Sequence, residues 1–98
     1  MAQVAHSTEL QPNLGYHLSY QFQAWKSIPE YVEWWPEMDG TQREVFHLEW
    51  VGITESRLTA LQQWAERGLL TDSQRAQYEG LLECIARYRP LLDRLLQD

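Results

Sequence analysis

The chain has 98 residues, of which 44% are hydrophobic, and its formal net charge at pH 7 is -6. This length allows one small domain with a single core and excludes a second domain. The acidic balance excludes general binding to the phosphate backbone of nucleic acids, because such binding requires clustered Lys and Arg side chains.

The first part of the chain is predicted to contain an arm followed by a helix. Residues 1–13 mix small and polar side chains with Pro12 and show no periodicity, which predicts a mobile arm. From residue 14 the apolar side chains recur every three or four residues. This spacing predicts a helix over about 14–27 and the start of a single helical domain over 14–98. The side chains concerned are Leu14, Leu18, Phe22 and Trp25.

A short second helix is predicted over about residues 29–35. Pro29 suits the first position of a helical turn, because a backbone N–H would have no partner there and the fixed φ of proline is already helical. Pro36 disfavours continuation of this helix, and the pair Asp39-Gly40 is typical of a turn.

A long third helix is predicted over about residues 41–67. Thr41 and Glu44 have the spacing of a capping box, in which each side chain accepts a hydrogen bond from a backbone N–H of the first turn. Gly68 suits the left-handed position that ends many helices, whereas Gly52 lies inside the helix and marks a point of weakness. The apolar side chains of the predicted buried face are Phe46, Trp50, Ile53, Leu58, Leu61, Trp64 and Ala65.

The last helix is predicted over about residues 72–97. Thr71 and Gln74 have the spacing of a second capping box, and the apolar residues after them keep helical spacing. Pro90 removes one hydrogen bond inside this helix, so a kink is expected there.

The connection between the two long helices is short enough to make them antiparallel, as a helical hairpin. In the simplest register Gly80 lies opposite Ala60, where the missing side chain lets the two backbones approach. The predicted fold is therefore all-α, with short aromatic N-terminal helices packed on a long antiparallel helical hairpin.

Leucine pairs give the last helix more apolar surface than one neighbouring helix can cover. The second neighbour is either the N-terminal helix of the same chain or the same hairpin of a second chain. The latter case predicts a homodimer through the Leu-rich C-terminal helix, completing a four-helix bundle. The pairs are Leu69-Leu70, Leu81-Leu82, Leu91-Leu92 and Leu95-Leu96.

The net charge is confined to residues 30–55. This segment holds seven acidic residues and one base, Arg43, which gives -6, and the segments on either side of it are neutral. The acidic residues are Glu30, Glu33, Glu37, Asp39, Glu44, Glu49 and Glu55. Carboxylates interleaved with tryptophan suit binding to a basic partner, because tryptophan supplies contact area and the carboxylates supply steering.

Within this segment, the short helix and the loop after it are the candidate partner-binding surface. Trp34 and Trp35 point about 100° apart on a helix, so both cannot face one core and at least one should be exposed. Trp50 is assigned to the core and Glu44 to the capping box. The remaining candidate residues are Glu30, Glu33, Trp34, Trp35, Glu37 and Asp39.

Glu44 and His47 support a weaker alternative, a metal-binding helical bundle. Their spacing places a carboxylate and an imidazole on one helical face, as in half of a ferritin-like di-iron site. A complete site needs a second such pair, which only a homodimer would supply. The simpler interpretation is a capping Glu44 and a partly exposed His47 with no metal.

The motifs of common enzyme classes are not found, so we predict neither an enzyme nor a cofactor. The sequence has no Gly-rich phosphate loop, no nucleophile elbow and no Cys-x-x-Cys pair. His17 has no nucleophile in a characteristic context, and Cys84 has apolar helical neighbours, which raise the pKa of a thiol. Both are interpreted as packing residues.

The predicted location is the cytoplasm, without membrane association. No segment reaches the roughly 18 to 20 apolar residues that a membrane span requires, and the first residues lack the features of a signal peptide. A single cysteine cannot form an internal disulfide, which agrees with a reducing compartment.

The predicted function is a small acidic non-enzymatic protein-binding module that regulates or neutralises a partner, as antitoxins, inhibitors and adaptors do. The partner should be a protein with a basic surface, without direct binding to nucleic acid. An alternative is a DNA-mimicking inhibitor of a nucleic-acid enzyme, in which carboxylates stand in for phosphates.

Overall fold

A computed structural model describes residues 13–97, and their regular structure is entirely helical, without a strand. The predicted all-α class is therefore confirmed. Within these residues the α-helices are α1 (Leu14–Lys26), α2 (Ile28–Trp34), α3 (Gly40–Glu49), α4 (Glu55–Glu66) and α5 (Asp72–Gln97). A 3-10 turn (Trp35–Glu37) follows α2, and a π-helical segment (Trp50–Thr54) joins α3 to α4 without a break.

The predicted arm over residues 1–13 lies outside the described residues except for its last member. Asn13 is the N-cap of α1, and its Oδ1 accepts a hydrogen bond from the backbone N–H of Tyr16 at 3.0 Å. None of the helices in the described part of the chain is long and apolar enough to cross a membrane.

The start of the long third helix differs from the prediction. The N-cap is Asp39, whose Oδ1 accepts from the Gln42 N–H at 2.8 Å while Gln42 Oε1 accepts from the Asp39 N–H at 2.9 Å. The predicted box of Thr41 and Glu44 is therefore wrong, because an equally good cap and partner occur two residues earlier. The box of Thr71 and Gln74 is confirmed, with distances of 3.1 and 3.0 Å.

Neither Gly52 nor Pro90 ends a helix. Gly52 lies within the π-helical segment, and α5 continues through Pro90 to Gln97. Gly68 has a φ of 75° in the turn after α4, as its predicted left-handed position requires.

The π-helical segment changes which residues face the core. The buried residues of this continuous helix follow one another at four-residue steps from Phe46 through Trp50 and Thr54 to Leu58. In an α-helix each such step overshoots one turn by about 40°, so three steps would displace the face by about 120°. The wider π turn accommodates the extra residue and keeps these side chains on one side. Ile53, predicted to be buried, is 42% exposed because Thr54 takes its place.

Helix α1 packs against both α4 and α5, and α2 packs against α5. The contact between α1 and α5 is the most extensive in the fold. The predicted juxtaposition of Gly80 with Ala60 is wrong, because Gly80 faces α1. A Cβ atom at Gly80 would lie 3.7 Å from Cζ of Phe22, with no atom of Ala60 within 4 Å.

The leucine face of α5 is largely covered within the chain. Leu81 and Leu92 are 0% exposed, and Leu95 is also buried. Leu69 and Leu82 remain outside this core, at 48% and 40% exposed. The second neighbour that the leucine pairs require is therefore supplied by α1 and α2 of the same chain.

A buried polar network joins α1 to the π-helical segment. Gln21 is 0% exposed, and its Nε2 donates to the backbone carbonyl of Thr54 at 3.0 Å. Trp25, also 0% exposed, donates from Nε1 to Gln21 Oε1 at 3.1 Å. The hydroxyls of Tyr20 and Thr54 lie 3.3 Å apart. The network therefore fixes the rotation of the π turn against α1.

His17 lies in a second aromatic cluster between α1 and α4. Its ring is 5.0 Å from that of Trp64, and its buried Nδ1 has no hydrogen-bond partner among the described residues. Burial lowers the pKa of His17, and the nearby charge of Arg57 lowers it further. The folded protein therefore favours the neutral form of the His17 imidazole.

We expect the protein to lose stability as the pH falls below about 6.5, the ordinary pKa of His17. The unfolded chain then binds more protons at this site than the folded chain, so the free energy of unfolding decreases with decreasing pH. Replacing His17 by Phe should flatten the pH dependence measured by chemical denaturation between about pH 7 and pH 5. Replacing the exposed Gln62 by Leu, which removes no titratable group, is the control and should leave the slope unchanged. Equal slopes for His17→Phe and the wild type would contradict this assignment.

Candidate functional site

Four of the six predicted partner-binding residues share one exposed face of α2 and the turn after it. Glu30, Glu33 and Glu37 are all exposed, and Trp34 is 49% exposed. Glu30 lies four residues before Trp34 and Glu37 three residues after it, so these two carboxylates neighbour the indole on the helix surface. Glu33 has the same spacing to Glu30 and Glu37 and extends this face on one side. We call these four residues the Trp34 face.

Trp35 does not belong to the Trp34 face. It is 6% exposed, and its ring lies 5.4 Å from that of Phe46. Its prediction as a partner-binding residue does not fit this placement, because α2 turns the Trp35 side chain towards the core and Trp34 towards solvent. Asp39 is exposed, but its carboxylate caps α3. The exposed part of the candidate surface is therefore smaller than predicted.

The one base of residues 30–55, Arg43, contacts Trp35 and forms no ion pair with these carboxylates. Arg43 donates through Nε, at 3.2 Å, and through Nη2 to the backbone carbonyl of Trp35, and its guanidinium lies 5.1 Å from the centre of the Trp35 ring. Among residues 13–97, no Lys or Arg forms an ion pair with Glu30, Glu33 or Glu37. The negative potential of the Trp34 face is therefore uncompensated locally and favours the approach of cationic groups.

A chain of aromatic contacts connects the Trp34 ring to the hydrophobic core. Its ring meets Tyr31 edge to face at 5.7 Å, and Tyr31 lies 4.5 Å from Phe46. Phe46 stacks on Trp50 at 5.7 Å, and Trp50 meets Trp25 at 5.0 Å. Such pairs contribute about 0.5–1.5 kcal/mol each beyond area burial. The exposed indole is thus positioned before any partner arrives, which lowers the entropy cost of binding.

Sequence reasoning did not identify the role of Tyr31 or the exposure of Val45 and Ile53 near this face. The signal for Tyr31 was its spacing of three residues from Trp34, which places both rings on adjacent positions of one helix. Val45 and Ile53 are 48% and 42% exposed. The exposure of Ile53 depends on the π-helical segment. Gly52 marked this part of the helix as weak, but the sequence pattern did not indicate that the helix would continue through it with a wider turn.

Glu44 and His47 lie on a different surface from the Trp34 face. Both are exposed and border a shallow depression together with Arg43 and Leu95. In the part of the chain that the structure describes, no group of three or more His, Cys, Asp or Glu side chains is placed to hold a metal ion. A guanidinium beside the pair also disfavours a bound cation. The chemistry of this donor set does not fit a metal centre.

Cys84 is half-buried in α5, and burial raises the pKa of its thiol, although the charges of Lys26 and Arg87 act in the opposite direction. A raised pKa reduces the thiolate fraction, which is the nucleophilic form. The side chain is therefore suited to packing, as the sequence predicts.

The chain was compared with protein-family models, with curated proteins and with solved structures, and no match was found in any of the three comparisons.

Proposed function

We propose that this protein is a small acidic non-enzymatic module that binds a partner protein and regulates or neutralises it, as an antitoxin, inhibitor or adaptor does. The observation that supports this function is the half-exposed Trp34, which contacts Tyr31 and lies among three carboxylates that form no ion pair with residues 13–97. Tryptophan is enriched at the energetic centres of protein interfaces, and the surrounding carboxylates select a basic partner surface.

The same proposal includes the arrangement of the two long helices, the surface used by a homodimer and the cellular compartment. We propose that α4 and α5 form an antiparallel hairpin through their short connection, and that any homodimer uses the side of α5 that carries Leu82. The unpaired Cys84 supports a reducing compartment, the cytoplasm.

The direct test is capture of partners from a lysate of the native host by wild-type and variant protein. Trp34→Ala, and separately Glu30→Gln combined with Glu33→Gln and Glu37→Gln, should each weaken binding of the captured partner by at least about tenfold. The triple glutamine variant should keep the thermal midpoint within a degree or two, because exposed carboxylates contribute little to stability. Trp34→Ala loses the contact with Tyr31 and should lower the midpoint by several degrees while the protein stays folded at the temperature of the assay.

A matched control removes the same number of charges elsewhere on the surface. Glu66, Glu79 and Glu83 are exposed and lie outside the acidic segment. Replacing these three by Gln should change partner affinity by less than about twofold. If both triple variants weaken binding equally, overall charge and not the Trp34 face determines recognition, and the proposed surface is wrong.

The DNA-mimicking inhibitor remains a second candidate, because three carboxylates lie in a row on one exposed face. The two functions differ in their dependence on tryptophan. A DNA mimic should keep its target when Trp34 is replaced by Ala, and its affinity should fall steeply with salt. A protein-binding face centred on Trp34 should lose its partner in the same variant at any salt concentration.

A further inference from the structure

A groove runs beside the Trp34 face, along one side of α3 and the π-helical segment. It consists of two adjoining depressions that share Tyr31, Phe46 and Glu49. The wall on the α3 side carries Val45 and Ile53, four residues before and after Glu49. The opposite wall is formed by Tyr31 with Met38 at one end and by Tyr20 of α1 at the other.

The dimensions of the groove fit one short helix. Its α3 wall extends from Thr41 to Ile53, and twelve residues at about 1.5 Å each give a length of about 18 Å. This length equals about three turns of a helix. Val45 and Ile53 lie about two turns apart on the wall, a distance that apolar residues at i and i+7 of a bound helix can match.

The wall combines apolar and anionic character in a defined order. Val45 and Ile53 are 48% and 42% exposed, and the exposed Glu49 lies between them. Among the described residues, Glu49 has no ion-pair partner. The extra residue of the π turn places Thr54 in the core and leaves Ile53 for this wall. π turns are frequent at functional sites, and here the turn completes one end of the groove.

Charge decides which occupant this groove suits. Residues 30–55 carry seven acids and one base, so a symmetric dimer in which two grooves face each other would bring a segment of charge -6 against another of the same charge. Nucleic acids and anionic lipids would meet the same repulsion. A cationic occupant instead finds Glu49 in the wall and Glu30, Glu33 and Glu37 beyond Tyr31.

We propose that this groove binds a basic amphipathic helix of the partner protein. Apolar side chains of that helix contact Val45 and Ile53, and a Lys or Arg between them pairs with Glu49. Further basic residues at the end near Tyr31 reach the carboxylates of the Trp34 face. This inference rests on the proposed function, and it names the structural class of the partner segment.

The test uses a defined probe, a synthetic peptide of about 15 residues made of leucine and lysine, with the leucines on one helical face. Amide chemical-shift mapping by NMR should place its binding at residues that line the groove, and circular dichroism should show that the peptide becomes helical. A peptide of the same composition, scrambled so that it has no apolar face, should bind at least about tenfold more weakly. Shifts elsewhere, an extended bound peptide or equal affinity of the scrambled peptide would each overturn the proposal.

Two variants and their matched controls test the wall itself. Val45→Lys should weaken peptide binding at least about tenfold, and Glu49→Gln about three- to tenfold. Leu69→Lys and Glu83→Gln make the same chemical changes at exposed positions away from the groove, and both should bind as the wild type does. Unchanged affinity in Val45→Lys would exclude the groove.

Failure of this inference is distinguishable from failure of the proposed function. If Trp34→Ala abolishes partner capture while Val45→Lys and Glu49→Gln retain it, the groove assignment is wrong and the protein-binding function stands. If the probe peptide binds in the groove but neither set of variants affects partner capture, the partner binds at another surface, and both the Trp34 face and the assignment of the groove to a partner helix are wrong. If the wild-type protein captures no partner that a control protein does not also capture, the proposed function itself is wrong. Loss of capture in both sets supports both conclusions.

Discussion

Replacing Gln21 by Leu is expected to lower the free energy of unfolding by about 2–4 kcal/mol, although leucine has a similar volume and is apolar. The side chain is 0% exposed and bridges the indole N–H of the fully buried Trp25 and the backbone carbonyl of Thr54. Its loss leaves Trp25 Nε1 buried without a partner, at a cost of about 1–3 kcal/mol, and removes the hydrogen bond to the Thr54 carbonyl, which contributes about 0.5–1.5 kcal/mol. Chemical denaturation monitored by tryptophan fluorescence and circular dichroism measures the change.

Two further variants identify the network as the cause. Gln23→Leu alters an exposed glutamine of the same helix and should change stability by no more than about 0.5 kcal/mol. Trp25→Phe removes the indole donor, so the double variant with Gln21→Leu should be less destabilised than the sum of the two single changes, by about 0.5–3 kcal/mol. Strict additivity, or equal costs for Gln21→Leu and Gln23→Leu, would show that the network does not act as a unit.

Replacing Leu81 by Ala is expected to cost about 2–5 kcal/mol, the usual range for a fully buried leucine. The neighbouring Leu82 is 40% exposed, and Leu82→Ala should cost less than about 1 kcal/mol. This pair tests whether α5 buries its leucines within one chain or only in a dimer. In the first case the unfolding midpoint does not depend on protein concentration, whereas a folded dimer requires that it rise with concentration. A cost for Leu82→Ala as large as that for Leu81→Ala would contradict the burial described.

The sequence was most informative where a helix is specified by short-range chemistry. Thr71 and Gln74 cap α5 as their spacing predicts, because both partners of a capping box lie within four residues. The same reasoning misplaced the start of α3, because Asp39-Gln42 and Thr41-Glu44 both satisfy the pattern. Local propensity does not distinguish two overlapping caps, and packing of the preceding turn against the core decides between them.

The registers of packing could not be predicted because they depend on contacts between distant segments. A periodic pattern of apolar residues assigns Ile53 to the core if the helix is α-helical throughout, and only the π turn moves Thr54 into that position. Gly80 was placed against the wrong helix for a related reason. The spacing of the hairpin does not show that α1 occupies the adjacent face, which the contact of Gly80 with Phe22 reveals.

The candidate site was predictable in its charge and not in its shape. The three carboxylates of the Trp34 face follow from the sequence, because charged side chains on a short helix remain in water. The choice between Trp34 and Trp35 depends on how α2 is rotated against α3 and α5. The groove brings together side chains from α1, α2, α3 and the π turn, so no pattern within one segment indicates it.

The single extra residue in the π-helical segment also sets the angular relation between the two halves of one long helix. α4 is fixed to α1 by its own buried side chains, whereas α3 carries Val45 and Glu49 into the groove. If the same residues were wound as an ordinary α-helix, the three four-residue steps from Phe46 to Leu58 would together rotate α3 by about 120° relative to α4. The groove wall would then turn away from Tyr31 without the loss of any residue that forms it. The winding of this segment is therefore as much a determinant of the surface as the side chains themselves.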